Sequence, residues 1–257
     1  MPILDGNHKK DAFLPTLLSF LTPEIKKDFL NPKVVKLMGE NLKKELFGEE
    51  IQVIPQPDIK AKLSFLREVQ KYYSEISASI ERMRAIAMFV RQYPNYKSFK
   101  KYGITHTFYL RYHVENYFNE MYLFKERVNR FIAYLKSECN DHGLSLERKI
   151  LDEIKKVFLS SIDGIIDTRR RHIHGVNRFT NKKFEQLESI EFFLQHMDDN
   201  KITNLLDILK KINYRPVRQE WFKIISNNNK SLDSFFDSIL EKIKPIVFDK
   251  LLSKYKS

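Results

Sequence analysis

The densest group of cationic side chains in this chain lies in residues 165–179, which read IIDTRRRHIHGVNRF. Four arginines and two histidines share this stretch with a single acid, Asp167. Arginine stays charged and offers phosphate a planar fork of donors, whereas histidine takes up and releases protons near neutral pH. Such a cluster can be a solvated helix end, a clamp for nucleic acid or a catalytic site, and each interpretation requires different surroundings.

The composition indicates a globular protein with a basic surface. Of the 257 residues, 42% are hydrophobic and 30% are charged, and seven glycines and nine prolines are too few turn formers for a sheet-rich fold. The net charge of +12 attracts polyanions, and nucleic acid is favoured over anionic lipid because the basic residues are interleaved with aromatic ones. One cysteine, no signal-peptide core and no apolar run of ~18 residues predict a cytoplasmic protein without membrane association.

Hydrophobic periodicity predicts an all-α fold, a helical bundle with two or three long antiparallel helices and additional shorter ones. Long amphipathic helices are predicted over 59–90, over 106–138 and from Ser145 onward. Shorter helices are predicted over 23–29, 32–46, 183–197, 201–213, 217–226 and 231–254. The break at 48–58, GEEIQVIPQPD, separates a short N-terminal helical segment, 1–56, from the bundle, 57–257.

Arg169 continues the apolar stripe of the third long helix at its C-terminal end. One interpretation is that this arginine only complements the helix dipole and the last carbonyls, with Gly175 just beyond the helix. His174 follows five residues later, about 140° away around an ideal helix. The two side chains can therefore meet only if the helix stops between them or if a second subunit supplies the partner.

Residues 169–175, RRRHIHG, resemble the Arg-x(4–6)-His motif of the HEPN superfamily, with Arg170 where that family usually has Asn, Asp or His. These are all-helical bundle proteins, and many are metal-independent endoribonucleases of bacterial toxin and phage-defence systems. The resemblance covers about 105–200, a long aromatic-rich helix, a tight turn, a helix ending in the motif and a further helix. It implies a homodimer in which two motifs meet near the interface.

The chemistry that this resemblance implies is cleavage of single-stranded or loop RNA by 2′-hydroxyl transesterification. RNA supplies its own nucleophile, so the reaction needs no metal or cofactor. It needs proton transfer, for which His174 is predicted, and stabilisation of phosphoryl charge, for which Arg169 is predicted. Arg170 and His172 are candidate auxiliary groups, and the alternative for His172 is a solvated side chain beside a basic cluster.

A metal site has little support in the sequence. The pair His172-x-His174 has no cysteine or carboxylate partners nearby, and the surrounding arginines repel a cation. Motifs for zinc, phosphate-loop and dinucleotide sites are absent, so no metal and no cofactor are expected. Asp163 and Asp167 are interpreted as ion-pair partners of the arginines.

A second basic group lies upstream, because residues 82–114 contain seven Lys or Arg and no acid, with aromatic residues among them. Cations can hold a phosphate backbone while aromatic rings stack on unpaired bases. At least half of these rings are expected to form core, Phe108 above all. The predicted RNA contacts are Tyr96, Lys97, Lys100 and Lys101 in this segment, and Arg171 and Arg178 beside the motif.

Two other classes of function stay open at the level of sequence. The first is a non-catalytic basic helical protein that binds nucleic acid or acts as an adaptor, in which the arginines only clamp phosphate. The second is a toxin-like protein held by an acidic antitoxin or regulatory partner. His174→Ala distinguishes the first class from a nuclease, because a binding protein would tolerate the substitution.

Overall fold

The computed structural model describes residues 13–29, 36, 40, 61–92, 99, 101–174, 182–197 and 200–255, without the side chains of 24–29, 164–174 and 200. Helices account for 94% of these residues, and none of them forms a β-strand. The predicted all-α helical bundle is confirmed. No helix in these ranges is long and apolar enough to cross a membrane.

Six α-helices account for most of the described residues: α1 (Phe13–Phe29), α2 (Ala61–Arg91), α3 (His106–Asp141), α4 (Ser145–His174), α5 (Lys182–His196) and α6 (Asn200–Pro245). A π-helical turn, Ile246–Leu251, and a 3₁₀ turn, Leu252–Lys254, follow α6. The predicted long helices at 59–90, at 106–138 and from Ser145 correspond to α2, α3 and α4. Their apolar stripes were strong enough to fix their positions to within a few residues.

The predicted start of the first helix, at Pro23, is wrong. Helix α1 begins ten residues before Pro23, because Phe13, Leu17 and Leu21 form one buried face with a four-residue step. Pro23 lies inside this helix, where it removes one backbone donor without ending the helix. The helix predicted over 32–46 lies outside the described residues except for Lys36 and Glu40, which are helical.

Helix α6 is continuous where three helices were predicted. Pro216 and the asparagines 227–229 lie in its interior. Asn229 is buried, and its Nδ2 donates to the backbone oxygen of Met83 on α2 at 3.0 Å. Asparagine usually interrupts a helix because its amide competes for the backbone hydrogen bonds of that helix. The amide of Asn229 instead bonds a neighbouring helix, so α6 continues through it. The α-helix ends at Pro245, inside the helix predicted over 231–254.

The chain divides into two compact units, each assembled from separate stretches. The first contains residues 1–74, 133–151 and 237–257, and the second contains 75–132 and 152–236. The domain boundary predicted between 56 and 57 lies outside the described residues. In the first unit, the ring of Phe13 packs 5.6 Å from Tyr73 and 5.3 Å from Phe248, measured between centroids, which joins α1 to the start of α2 and to the C-terminal segment.

The turn between α3 and α4, in the first unit, fixes where the motif helix begins. Gly143 has a φ of 69°, a left-handed conformation that favours glycine. The backbone N–H of Gly143 donates to Asn140 O at 3.1 Å, and that of Leu144 donates to Cys139 O at 2.7 Å. This pair of bonds is a Schellman motif, which satisfies the last carbonyls of α3 and releases the chain into α4 at Ser145.

The core of the second unit is aromatic and holds the middle of α4. Phe158 of α4 packs edge-to-face on Phe124 of α3, with the ring centroids 5.9 Å apart. Phe124 also contacts Phe236 of α6 at 6.1 Å. Ile154, Phe158 and Ile162 are all buried. The apolar stripe of α4 is therefore packed as far as Ile162, seven residues before Arg169.

Candidate functional site

The predicted catalytic residues lie at the C-terminal end of α4. This helix has 30 residues and runs without interruption through Arg169 to His174, its last residue. On an ideal helix the two positions differ by about 140° around the axis and about 7.5 Å along it. The sequence allowed the helix to end between Arg169 and His174, but the backbone of α4 is helical through both residues.

The other residues predicted near the motif are described only in part. Arg170, Arg171 and His172 lie in the last two turns of α4, and the structure describes their backbone and not their side chains. Arg178 lies outside the described residues, as do Tyr96, Lys97 and Lys100 of the upstream group. Lys101 is exposed, and its Nζ lies 6.0 Å from the centroid of the Tyr102 ring.

Three cations of the upstream group are paired with acids from elsewhere in the second unit. The guanidinium of Arg82 contacts Glu120 of α3 at 2.9 Å. Likewise, Arg84 contacts Asp233 of α6 at 2.9 Å. Arg111 contacts Glu115 at 3.0 Å and also bonds Glu188 of α5. Because folding brings these acids in, much of the charge excess that the sequence shows between 82 and 114 is compensated locally.

Glu120 is the centre of the most buried of these ion pairs, with 8% of its surface exposed. Its Oε1 accepts hydrogen bonds at 2.9 Å from Arg82 and at 2.9 Å from Arg127, and Arg127 also donates to Ser79. Burial opposes the charge of this carboxylate, but the bonds from Arg82, Ser79 and Arg127 outweigh it and hold the pKa of Glu120 below its usual value. This network ties α2 to α3 and has a structural role.

Phe108 is not a core residue, which corrects the expectation from the sequence, because 58% of its surface is exposed. The start of α3 explains the difference. Thr105 Oγ1 accepts a hydrogen bond from the backbone N–H of Phe108 at 3.1 Å, which makes Thr105 the N-cap of α3. With this register Thr107, Leu110 and Val114 are buried, and Phe108 lies on the other side of the helix.

An aromatic group that the sequence reasoning missed surrounds His113 on α3. We call Phe89, Tyr109, Tyr112 and His113 the His113 cluster. The His113 ring lies 5.0 Å from Phe89, 4.4 Å from Tyr109 and 5.3 Å from Tyr112. Burial lowers the pKa of His113 below its usual value. The signal in the sequence was the run of rings at three- and four-residue steps on α3, but the contact with Phe89 of α2 arises only from packing.

A second surface that the sequence did not indicate is apolar and lies on α5 and α6. We call it the α5–α6 apolar face. Its side chains are between 38% and 61% exposed, and they are Phe192, Phe193, Met197, Ile202, Leu205, Ile208, Leu209 and Ile212. Ile202, Leu205, Leu209 and Ile212 follow one another at steps of three, four and three residues. Alternating steps of three and four residues are typical of the apolar positions through which two helices pack in a coiled coil.

Two lysines next to this face are paired within the chain. Lys210 Nζ lies 2.8 Å from Oε1 of Glu191, a buried carboxylate of α5. On α6 itself, Lys211 Nζ lies 2.8 Å from Oδ2 of Asp207. These two cations beside the face are therefore compensated, although the chain as a whole is strongly basic.

No protein-family model, no curated protein and no solved structure matches this chain. Its function must therefore be inferred from its own residues and their packing. Among the side chains that the structure describes, no group of three or more His, Cys, Asp or Glu is placed to hold a metal ion.

Proposed function

We propose that this protein is a metal-independent endoribonuclease that cleaves single-stranded or loop RNA, with Arg169 and His174 as its catalytic pair. One observation carries the proposal. An arginine and a histidine, in the spacing of the HEPN motif, occupy the last two turns of a long helix with a buried apolar face, in an all-α chain of net charge +12. The HEPN resemblance adds a toxin or phage-defence setting in the cytoplasm.

The proposed reaction is an in-line displacement at phosphorus. A neutral imidazole takes the proton of the 2′-hydroxyl, and the 2′-oxygen forms a bond to the adjacent phosphorus. The bond from phosphorus to the 5′-oxygen breaks, and a protonated imidazole gives its proton to that oxygen. Arg169 donates to the non-bridging oxygens, where negative charge grows. The products are a 2′,3′-cyclic phosphate and a 5′-hydroxyl.

This reaction needs two imidazoles, for which we propose His174 and the auxiliary candidate His172 of one subunit, while a homodimer supplies the arginine of the partner subunit. Continuity of α4 supports the same arrangement, because one helix presents Arg169 and His174 on different sides. In the dimer, Arg169 of one subunit would work with His174 of the partner subunit. An isologous dimer then contains two equivalent sites.

The α5–α6 apolar face is the surface that we propose for the second copy. Its spacing of three and four residues suits a self-complementary helix pair. Two chains of net charge +12 repel each other, so the second copy requires a face where cations are compensated. Lys210 and Lys211 meet that requirement through Glu191 and Asp207. An acidic antitoxin or regulatory partner would instead be attracted to the uncompensated cations elsewhere.

The decisive experiment is incubation of the purified protein with single-stranded RNA in EDTA, followed by analysis of the new termini. We expect cleavage that persists in the chelator and leaves a 2′,3′-cyclic phosphate and a 5′-hydroxyl. Cleavage that requires Mg²⁺ and leaves a 3′-hydroxyl would overturn the mechanism.

A second candidate function is nucleic-acid binding without catalysis, in a basic helical adaptor. The His113 cluster and the exposed Lys101 beside Tyr102 favour it, because rings and cations bind RNA without any proton transfer. Firm RNA binding with no cleavage under any condition would select this candidate.

A further inference from the structure

The exposed rings around His113 are unusual for a surface without a ligand. Phe89 is 48% exposed and Tyr112 is 53% exposed, and both contact His113. Phe108 is also exposed and precedes Tyr112 by four residues, so the two lie on neighbouring turns of one side of α3. A contiguous patch of exposed apolar side chains on a soluble protein commonly marks a binding site.

The rings are held in place by the half-buried histidine. His113 is tilted by 32° against Phe89 and meets Tyr109 and Tyr112 edge-on, at 67° and 77°. Because burial lowers its pKa, the imidazole packs as a neutral ring and adds no charge to the group. Phe99 extends the contacts by lying 5.9 Å from Tyr109. A ligand would thus meet flat faces whose positions are already set, which lowers the entropy cost of binding.

The charges nearby favour a polyanion as the occupant. Arg91 is the last residue of α2, is exposed on a different side of the helix from Phe89, and lies with its guanidinium carbon 5.6 Å from the Phe222 ring centroid. Lys101 follows Phe99 by two residues and is also exposed. Arg111, between Phe108 and Tyr112, is already paired with Glu115 and Glu188. The attraction for a polyanion therefore comes from Arg91, Lys101 and the net charge of +12 of the chain. Flat aromatic faces bordered by cations suit unpaired nucleobases joined by phosphates, whereas a duplex hides its bases.

We propose that Phe89, Phe108 and Tyr112 form a stacking surface for the unpaired bases of single-stranded RNA, with Arg91 and Lys101 towards its phosphates. This inference rests on the proposed function, since it states how such a ribonuclease holds its substrate. It also explains why the expected core residue Phe108 faces solvent. The surface selects unpaired over paired RNA by stacking, without reading sequence.

The test compares planar and non-planar side chains at the same positions. Phe89→Leu and Tyr112→Leu keep apolar bulk but remove the ring, and Tyr112→Phe keeps it. We expect each leucine variant to weaken binding of a fluorescein-labelled single-stranded RNA oligomer by roughly tenfold. Tyr112→Phe should bind like the wild type, and so should Leu146→Ala, which alters an exposed apolar residue on α4. Circular dichroism verifies that each variant is folded.

Two further probes separate bases from phosphates. An abasic oligomer of equal length should bind the wild type and the leucine variants equally, and the dependence of RNA affinity on salt should be unchanged, because the phosphate contacts remain. Wild-type RNA affinity in both leucine variants would overturn the inference, and so would a loss of equal size for the abasic oligomer. Selective binding of this surface to anionic vesicles, with no RNA binding, would also overturn it.

The outcome for the stacking surface is distinguishable from the outcome for the nuclease. If the leucine variants lose RNA affinity while the wild type never cleaves RNA, the stacking surface stands and the proposed catalysis is wrong. If the wild type cleaves in EDTA and the leucine variants bind normally, the nuclease stands and the stacking surface is wrong.

Discussion

Arg169 and His174 lie five residues apart on one uninterrupted helix, α4, whose last residue is His174. Ideal helix geometry separates the two positions by about 140° around the axis. A phosphodiester that is cleaved with the help of both residues is therefore expected to take them from two subunits. This relationship connects the catalytic and the dimerisation predictions.

The first prediction concerns the division of labour in the motif. His174→Ala should lower the cleavage rate of bound RNA by about 10²–10⁴-fold and leave RNA affinity nearly unchanged, because it removes proton transfer and no phosphate contact. Arg169→Ala should lower the rate and also weaken binding, since the guanidinium contacts phosphate before and during the reaction. Single-turnover kinetics and fluorescence anisotropy measure the two effects separately.

The matched control for this prediction is His142→Ala. His142 follows the last residue of α3, its ring contacts Tyr255, and it belongs to neither the catalytic pair nor the α5–α6 apolar face. This substitution should leave the cleavage rate at the wild-type level. Equal loss of activity in both variants would indicate a general effect on folding, and wild-type cleavage by His174→Ala would rule out its catalytic role.

The second prediction concerns Glu120 and the dependence of stability on pH. The folded state holds the pKa of this carboxyl below its usual value. A depressed pKa contributes stability that is present above the unfolded value, about 4.3, and is lost as pH falls through the folded value. Glu120→Gln should therefore lower the free energy of unfolding by about 2 kcal/mol at neutral pH, and the difference from the wild type should shrink in acid.

Urea unfolding followed by circular dichroism across this pH range tests the second prediction. Glu188→Gln is a suitable comparison, because its partner Arg111 also bonds Glu115 and its own side chain is more exposed than that of Glu120. We expect a smaller loss for this variant. A difference between wild type and Glu120→Gln that does not change with pH would show that the carboxylate charge is not the source of the stability.

Much of the fold follows from local patterns, and the failures have identifiable causes. The stripe with Leu110, Val114 and Tyr117 predicts α3 because apolar residues recur along one buried side. Phe108 was misplaced because Thr105, a polar residue outside the helix, fixes the register of its first turn. Asn229 was taken as a helix break because its partner, Met83 O, is 146 residues away in the sequence.

The candidate site was predictable to a smaller degree. The position of Arg169 and His174 at a helix end follows from the stripe of α4 and from the glycine after it. The charge of the upstream group did not follow from the sequence, because Glu120, Glu188 and Asp233 reach its arginines only through packing between helices. The His113 cluster was missed for the same reason, since Phe89 and His113 lie on different helices.

The third prediction concerns the α5–α6 apolar face. Light scattering at micromolar concentration should show a dimer for the wild type and a monomer for Leu205→Asp and for Ile212→Asp, because a buried, unpaired carboxylate opposes association. Both residues are exposed in the isolated chain, so the variants should stay folded. Val157→Asp, a change of similar chemistry at an exposed position of α4, should remain dimeric. A monomeric wild type would contradict the shared site.

The last prediction tests whether the site is shared between subunits. Arg169→Ala and His174→Ala chains, carried on different affinity tags and co-expressed, can be purified as mixed dimers. If Arg169 of one subunit works with His174 of the partner subunit, one of the two sites in a mixed dimer has both residues and the other has neither. The mixed dimer should then recover about half of the wild-type cleavage rate, although each parent homodimer is nearly inactive. Recovery would be absent if both residues of a site came from the same chain, since every site would then lack one group.

A mixed dimer that carries Arg169→Ala and His174→Ala on the same chain, opposite a wild-type chain, is the control. It should show the reverse behaviour, with no intact site in the shared arrangement and one intact site in the unshared arrangement. Opposite results in these two dimers would therefore assign each catalytic residue to its subunit without depending on the absolute rate.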